Sequence, residues 1–123
     1  MKIKKILALI LILVGLGLSF KAEAQCDVVF SNTSGCNYVV IVFYTGGAGS
    51  TAPQNIPSIG GQVSVPIPDC STVTSIDIYD GNGFNPVNLQ PAGAINVNNS
   101  CTLSTSPATW TSQTTNYVYV DIF

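Results

Sequence analysis

Residues 36–44 read Cys36-Asn37-Tyr38-Val39-Val40-Ile41-Val42-Phe43-Tyr44, a run without charge, glycine or proline. β-branched and aromatic side chains dominate it, and they lose rotamer freedom in a helix but fit a pleated, packed surface. Alternation puts Tyr38, Val40 and Val42 on one face and Val39, Ile41 and Phe43 on the other. Both faces are apolar, which predicts a central strand covered on both sides. Turn-formers bound the run: residues 31–35 before it and a glycine-rich stretch, 45–61, after it.

Working outward, the same alternation marks strands at 26–31, 62–67, 72–79, 94–97 and 116–123. Pro66 and Pro68 cannot donate to a ladder, so the strand at 62–67 is expected to lie at an edge or to end there. The last run sets Val118, Val120 and Ile122 against Tyr117, Tyr119, Asp121 and Phe123. Residues 80–86 read as a turn, and the Ser- and Thr-rich segment 98–115 as a polar connection. No sustained helical period is present. Six or seven short strands punctuated in this way predict an all-β fold, a small antiparallel β-sandwich stapled by disulfides.

The N-terminus has a different character. Lys2, Lys4 and Lys5 precede an apolar run from Ile6 to Phe20, and Ala22-Glu23-Ala24 supplies a small–x–small cleavage pattern. Residues 1–24 are therefore expected to be a secretory signal peptide, leaving residues 25–123 as a single domain. The apolar run is shorter than the ~20 residues of a spanning helix, so the processed protein is not expected to span a membrane. Glu23 and Gln25 occupy the positions where lipoprotein processing before Cys26 needs an aliphatic and a small residue. Cleavage after Ala24 exposes Gln25, whose α-amine can attack its own side-chain amide and release ammonia. Exported material is then expected to begin with pyroglutamate and, lacking lysine, to carry no primary amine. Intact mass checks this; retained residues 1–24 or a lipid adduct on Cys26 would refute it.

Beyond residue 24 there is no Lys, Arg, His, Glu or Met. The ionisable side chains left are Asp27, Asp69, Asp77, Asp80 and Asp121, with four cysteines and five tyrosines. Without cations the domain cannot neutralise phosphates, which argues against nucleic acid as a partner. Without His, Glu or Lys it lacks most groups used in general acid–base catalysis. Solubility rests instead on Ser, Thr, Asn and Gln, which make up 37 of residues 25–123.

Four cysteines in an exported chain (Cys26, Cys36, Cys70 and Cys101) predict two disulfides with three possible connectivities. No histidine and no close Cys pair is present to hold zinc. If 26–31 and 36–44 form a hairpin, Cys26 lies too far from Cys36 to bridge it. Pairing 36–44 antiparallel with 62–70 then sets Cys36 opposite Cys70 and leaves Cys26 for Cys101.

Phe30, Asn32, Cys36, Tyr38 and Val40, followed by Gly61-Gln62 and a proline-ended strand, resemble the start of thaumatin-like proteins. Those are disulfide-rich β-sandwich domains, so the resemblance implies a sandwich. It covers under half of residues 25–123, and this chain lacks the family's dense cysteine framework and basic residues.

Two stretches carry candidate chemistry. Asp77-Ile78-Tyr79-Asp80-Gly81-Asn82-Gly83 offers oxygen ligands around glycines, and Asp77, Asp80 and Asn82 are the candidate Ca²⁺ ligands. The same residues suit a hairpin turn, because Asp-Gly and Asn-Gly favour positive φ. Asp77 and Asp80 fall on opposite faces of a straight strand, a poor arrangement for glycoside hydrolysis. The second stretch is aromatic: Trp110, Tyr117 and Tyr119 are the candidate ligand-binding residues, presenting apolar rings with polar tips, and the same residues suit the sandwich core or the second face of a sheet. The expected function is a secreted or periplasmic, non-catalytic module binding neutral glycans or cell-envelope components. An aspartate-only glycoside hydrolase and a purely structural secreted protein are the alternatives.

Overall fold

The computed structural model describes residues 25–58, 61–81, 85–99 and 101–123. The expected signal segment, 1–24, and Asn82 lie outside them. The described residues form two facing sheets, as the alternation predicted. Strands β1 (Cys26–Asn32), β4 (Gln62–Ile67), β7 (Ala94–Asn99), β8 (Ser104–Gln113) and β9 (Tyr117–Ile122) make the larger, in the order β4-β1-β9-β8-β7. Strands β2 (Tyr38–Tyr44), β3 (Gln54–Ile56), β5 (Val73–Asp80) and β6 (Val87–Leu89) make the smaller, in the order β3-β2-β5-β6.

All pairings are antiparallel except β1 with β9, which run parallel with Val29 beside Tyr119. The inward rows meet in one core. Val28 and Phe30 of β1, Val118, Val120 and Ile122 of β9, and Tyr38, Val40 and Val42 of β2 are all fully buried. Ile56, Val73, Ile76, Ile78 and Leu89 complete the side contributed by the smaller sheet. The proline-bearing β4 is an edge strand, as its missing donors require.

Nine strands replace the expected six or seven. Strands β3 and β6 span three residues each, too short for alternation to register. Strand β8 arises inside the segment 98–115 that read as a polar connection. Its inward positions are Ser106, Ala108 and Trp110, so only two of the three are apolar. Of the segment 80–86 read as a turn, Asp80 still belongs to β5 and Gly81 begins a turn, while residues 82–84 lie outside the described residues; β5 and β6 are antiparallel neighbours.

The disulfide pairing differs from the one expected. Cys26 bonds Cys70, with Cα atoms 5.0 Å apart, and Cys36 bonds Cys101, with Cα atoms 6.0 Å apart. Residues 31–35 do not close a hairpin. They carry the chain from β1 in one sheet to β2 in the other, so it is β1, not β2, that pairs with β4. Cys26 then lies opposite Ile67, within reach of Cys70 in the 3-10 turn Cys70–Thr72.

Buried Asn32 fixes that crossover. Its side-chain nitrogen donates to the Cys36 carbonyl at 2.7 Å and to the Pro57 carbonyl at 3.2 Å. Its oxygen accepts from the Ser34 amide at 3.0 Å and the Ser34 hydroxyl at 2.6 Å. A buried amide is tolerable only when so satisfied. Two disulfides fit an oxidising extracellular or periplasmic compartment.

Candidate functional site

Strand β9 turns Tyr117 and Tyr119 away from the core because Val118, Val120 and Ile122 take the inward positions. Tyr117 is 42% exposed and Tyr119 half-buried. Their rings are stacked, 27° from parallel with centroids 5.7 Å apart. Register sets Asp27 beside Tyr117, Val29 beside Tyr119 and Ser31 beside Asp121. Val29 is only 5% exposed despite facing outward, which marks an apolar centre on this side of the sheet. Thr109 pairs with Asp121 from β8 and adds a hydroxyl to the same face. The outer face of the larger sheet thus presents two tyrosines among short polar side chains.

Trp110 is not part of it. Its position on β8 points inward, it is 4% exposed, and its Nε1 finds no hydrogen-bond partner. The sequence grouped it with Tyr117 and Tyr119 by proximity. A bulge between Trp110 and Ser112, together with the alternation of β8, sends the indole to the core instead. Trp110 is a core residue.

The aspartates are dispersed. Asp77 faces outward on the smaller sheet, beside Ile41, and accepts a 2.8 Å hydrogen bond from Asn88. Asp80 follows the opposite parity on the same strand and pairs with Tyr38. The candidate calcium ligands Asp77 and Asp80 are therefore separated by their own strand, and Asn82 lies outside the described residues. Among the described residues, no three of His, Cys, Asp or Glu gather as a metal site. Asp27 and Asp121 share the tyrosine face but are offset by four positions along parallel strands, ~13 Å at about 3.3 Å per residue. That exceeds the ~5–9.5 Å between carboxylates that cleave glycosides. Asp69 caps the 3-10 turn: the Ser71 amide and hydroxyl donate to it and hold its carboxyl below the usual range.

A concave feature lies on the other side of the molecule, and sequence reasoning missed it. Val39, Ile41 and Phe43, expected to be covered, are half-buried on the outer face of the smaller sheet. A shallow groove of about 250 Å³ is lined by Val39, Ile41, Pro53 and Tyr79. It meets at Val39 a deeper one of about 320 Å³ bordered by Asn37, Asn55, Pro57 and Gly81. Gly81 is required there, since a Cβ would stand 2.8 Å from the Asn37 carbonyl oxygen. The signal was present in 36–44: apolarity on both faces denotes either two covering layers or one layer and an exposed contact surface.

Compared with protein-family models, curated proteins and solved structures, the chain finds no match.

Proposed function

We propose that this exported domain is a non-catalytic binding module that takes neutral glycans on the outer face of its larger sheet. The observation that carries the reading is the stacked, outward-facing pair Tyr117 and Tyr119 on a central strand. Sugar rings present apolar C–H faces that pack on aromatic ones. Ser31, Thr109 and the carboxylates of Asp27 and Asp121 surround the pair with groups that bond hydroxyls. The absence of any cation in residues 25–123 disfavours anionic partners. The separation of the aspartates, with no His, Glu or Lys beside them, favours binding over hydrolysis.

Affinity measurements on a panel of soluble neutral polysaccharides test the reading. Tyr117→Ala and Tyr119→Ala are each expected to weaken binding about tenfold, the equivalent of ~1.4 kcal/mol. Thermal unfolding should stay close to that of the parent domain, because Tyr117 lies largely outside the core. Release of reducing ends that stopped on replacing one aspartate would overturn the non-catalytic assignment.

A further inference from the structure

We infer that the groove on the outer face of the smaller sheet is a second binding site, whose ligand is an uncharged disaccharide unit. Register explains its shape. Asn55 of β3, Val39 of β2 and Tyr79 of β5 stand side by side in one row across three strands. That row is about 10 Å wide at ~4.8 Å per strand. It is the span of two pyranose rings.

The two halves of the groove differ in chemistry. Val39, Ile41, Pro53 and Tyr79 make an apolar bed suited to the C–H face of one ring. The half bordered by Asn37 and Asn55 offers amides, each able to donate and accept, which suits the hydroxyls of the next ring. Asn37 is already oriented, because its side-chain oxygen accepts the Ser58 amide at 2.7 Å. Volumes agree with one ring in each half: a cavity of about 150 Å³ accommodates benzene, and these hold about 250 and 320 Å³.

The lining also selects against charge. No Asp, Glu, Lys, Arg or His lines either half, and Asp77, on the same face, is engaged by Asn88. A charged ligand would lose hydration there without gaining a partner. The choice of carbohydrate follows the reading given for the tyrosine pair. The groove itself is independent of that pair, because it lies on the other sheet.

Nuclear magnetic resonance titration of the ¹⁵N-labelled domain tests the site. The probes are maltose, cellobiose, lactose and N,N′-diacetylchitobiose at millimolar concentration, with glucuronic acid and cyclohexanol as controls. At least one disaccharide is expected to shift the side-chain amide signals of Asn37 and Asn55 and the backbone signals of Val39 and Tyr79. Tyr79→Ala and Asn55→Ala should each weaken that binding about tenfold, and Asn55→Asp should do the same. A Tyr117→Ala/Tyr119→Ala variant should retain it. Shifts confined to the tyrosine face would overturn this site and leave the proposed function standing. Shifts at the groove alone would support this site and remove the proposed function. Equal response to cyclohexanol, a response to glucuronic acid only, or no shift at all would overturn the disaccharide assignment.

Discussion

Reduction of both disulfides is expected to unfold the domain at 37 °C. Cys26–Cys70 closes a sequence separation of 44 and Cys36–Cys101 one of 65. In the chain-entropy account, cross-links of that span each stabilise by about 4 kcal/mol, by restricting the unfolded chain. A domain of this size has a total stability of ~5–15 kcal/mol, so losing both bonds removes most or all of it. Their placement adds to the effect. Cys26, which opens β1, is tied to the turn that leads into β5, and Cys36, just before β2, is tied to Cys101 between β7 and β8. Circular dichroism with and without reductant reads the result, with the Cys26→Ala/Cys70→Ala and Cys36→Ala/Cys101→Ala variants apportioning it. Each paired variant should fall by roughly 2–5 kcal/mol. Chymotryptic mapping under non-reducing conditions should recover the 26–70 and 36–101 linkages, and a 36–70 linkage would contradict the strand order.

The connectivity shows where sequence reading stops. Spacing located β1, β2, β4, β5, β7 and β9 to within a few residues, because each carries a period-two apolar row. Which strands pair is another matter, decided by contacts far apart in sequence. The segment 31–35 has the composition of a hairpin turn, yet it is a crossover: the Asn32 side-chain oxygen closes a local turn on the Ser34 amide while its nitrogen reaches the Cys36 and Pro57 carbonyls. Nothing in residues 31–36 alone distinguishes the two outcomes. The parallel neighbours β1 and β9 are separated by almost the whole domain, and no local pattern specifies them.

The candidate site was legible to the same extent. Tyr117 and Tyr119 could be set on one face, opposite Val118, Val120 and Ile122, but which face meets the core is decided only by the assembled sheets. Trp110 could not be set on a face, because β8 carries Ser106 inward and a bulge after Trp110, which together blur its alternation. Likewise Val39, Ile41 and Phe43 were identified as a second apolar face, but what lies over a face is a property of the tertiary fold. Their exposure, and with it the groove, emerges only once the two sheets are assembled.

Trp110 now separates stability from recognition. Trp110→Ala is expected to cost about 3–5 kcal/mol, as truncation of a large core side chain leaves a cavity. Tyr117→Ala, on the solvent side of the next strand, should cost far less while reducing ligand affinity. Trp110→Phe provides the discriminating case. It keeps an aromatic ring in the core and removes an indole N–H that is buried without a partner, a defect costing about 1–3 kcal/mol. The smaller ring gives up some packing, so the two changes oppose one another and Phe should be tolerated far better than Ala. Denaturant unfolding of the three variants measures this. If Trp110→Phe destabilised as much as Trp110→Ala, the indole nitrogen would have to be bonded in solution, and the buried, unpartnered description of Trp110 would be wrong.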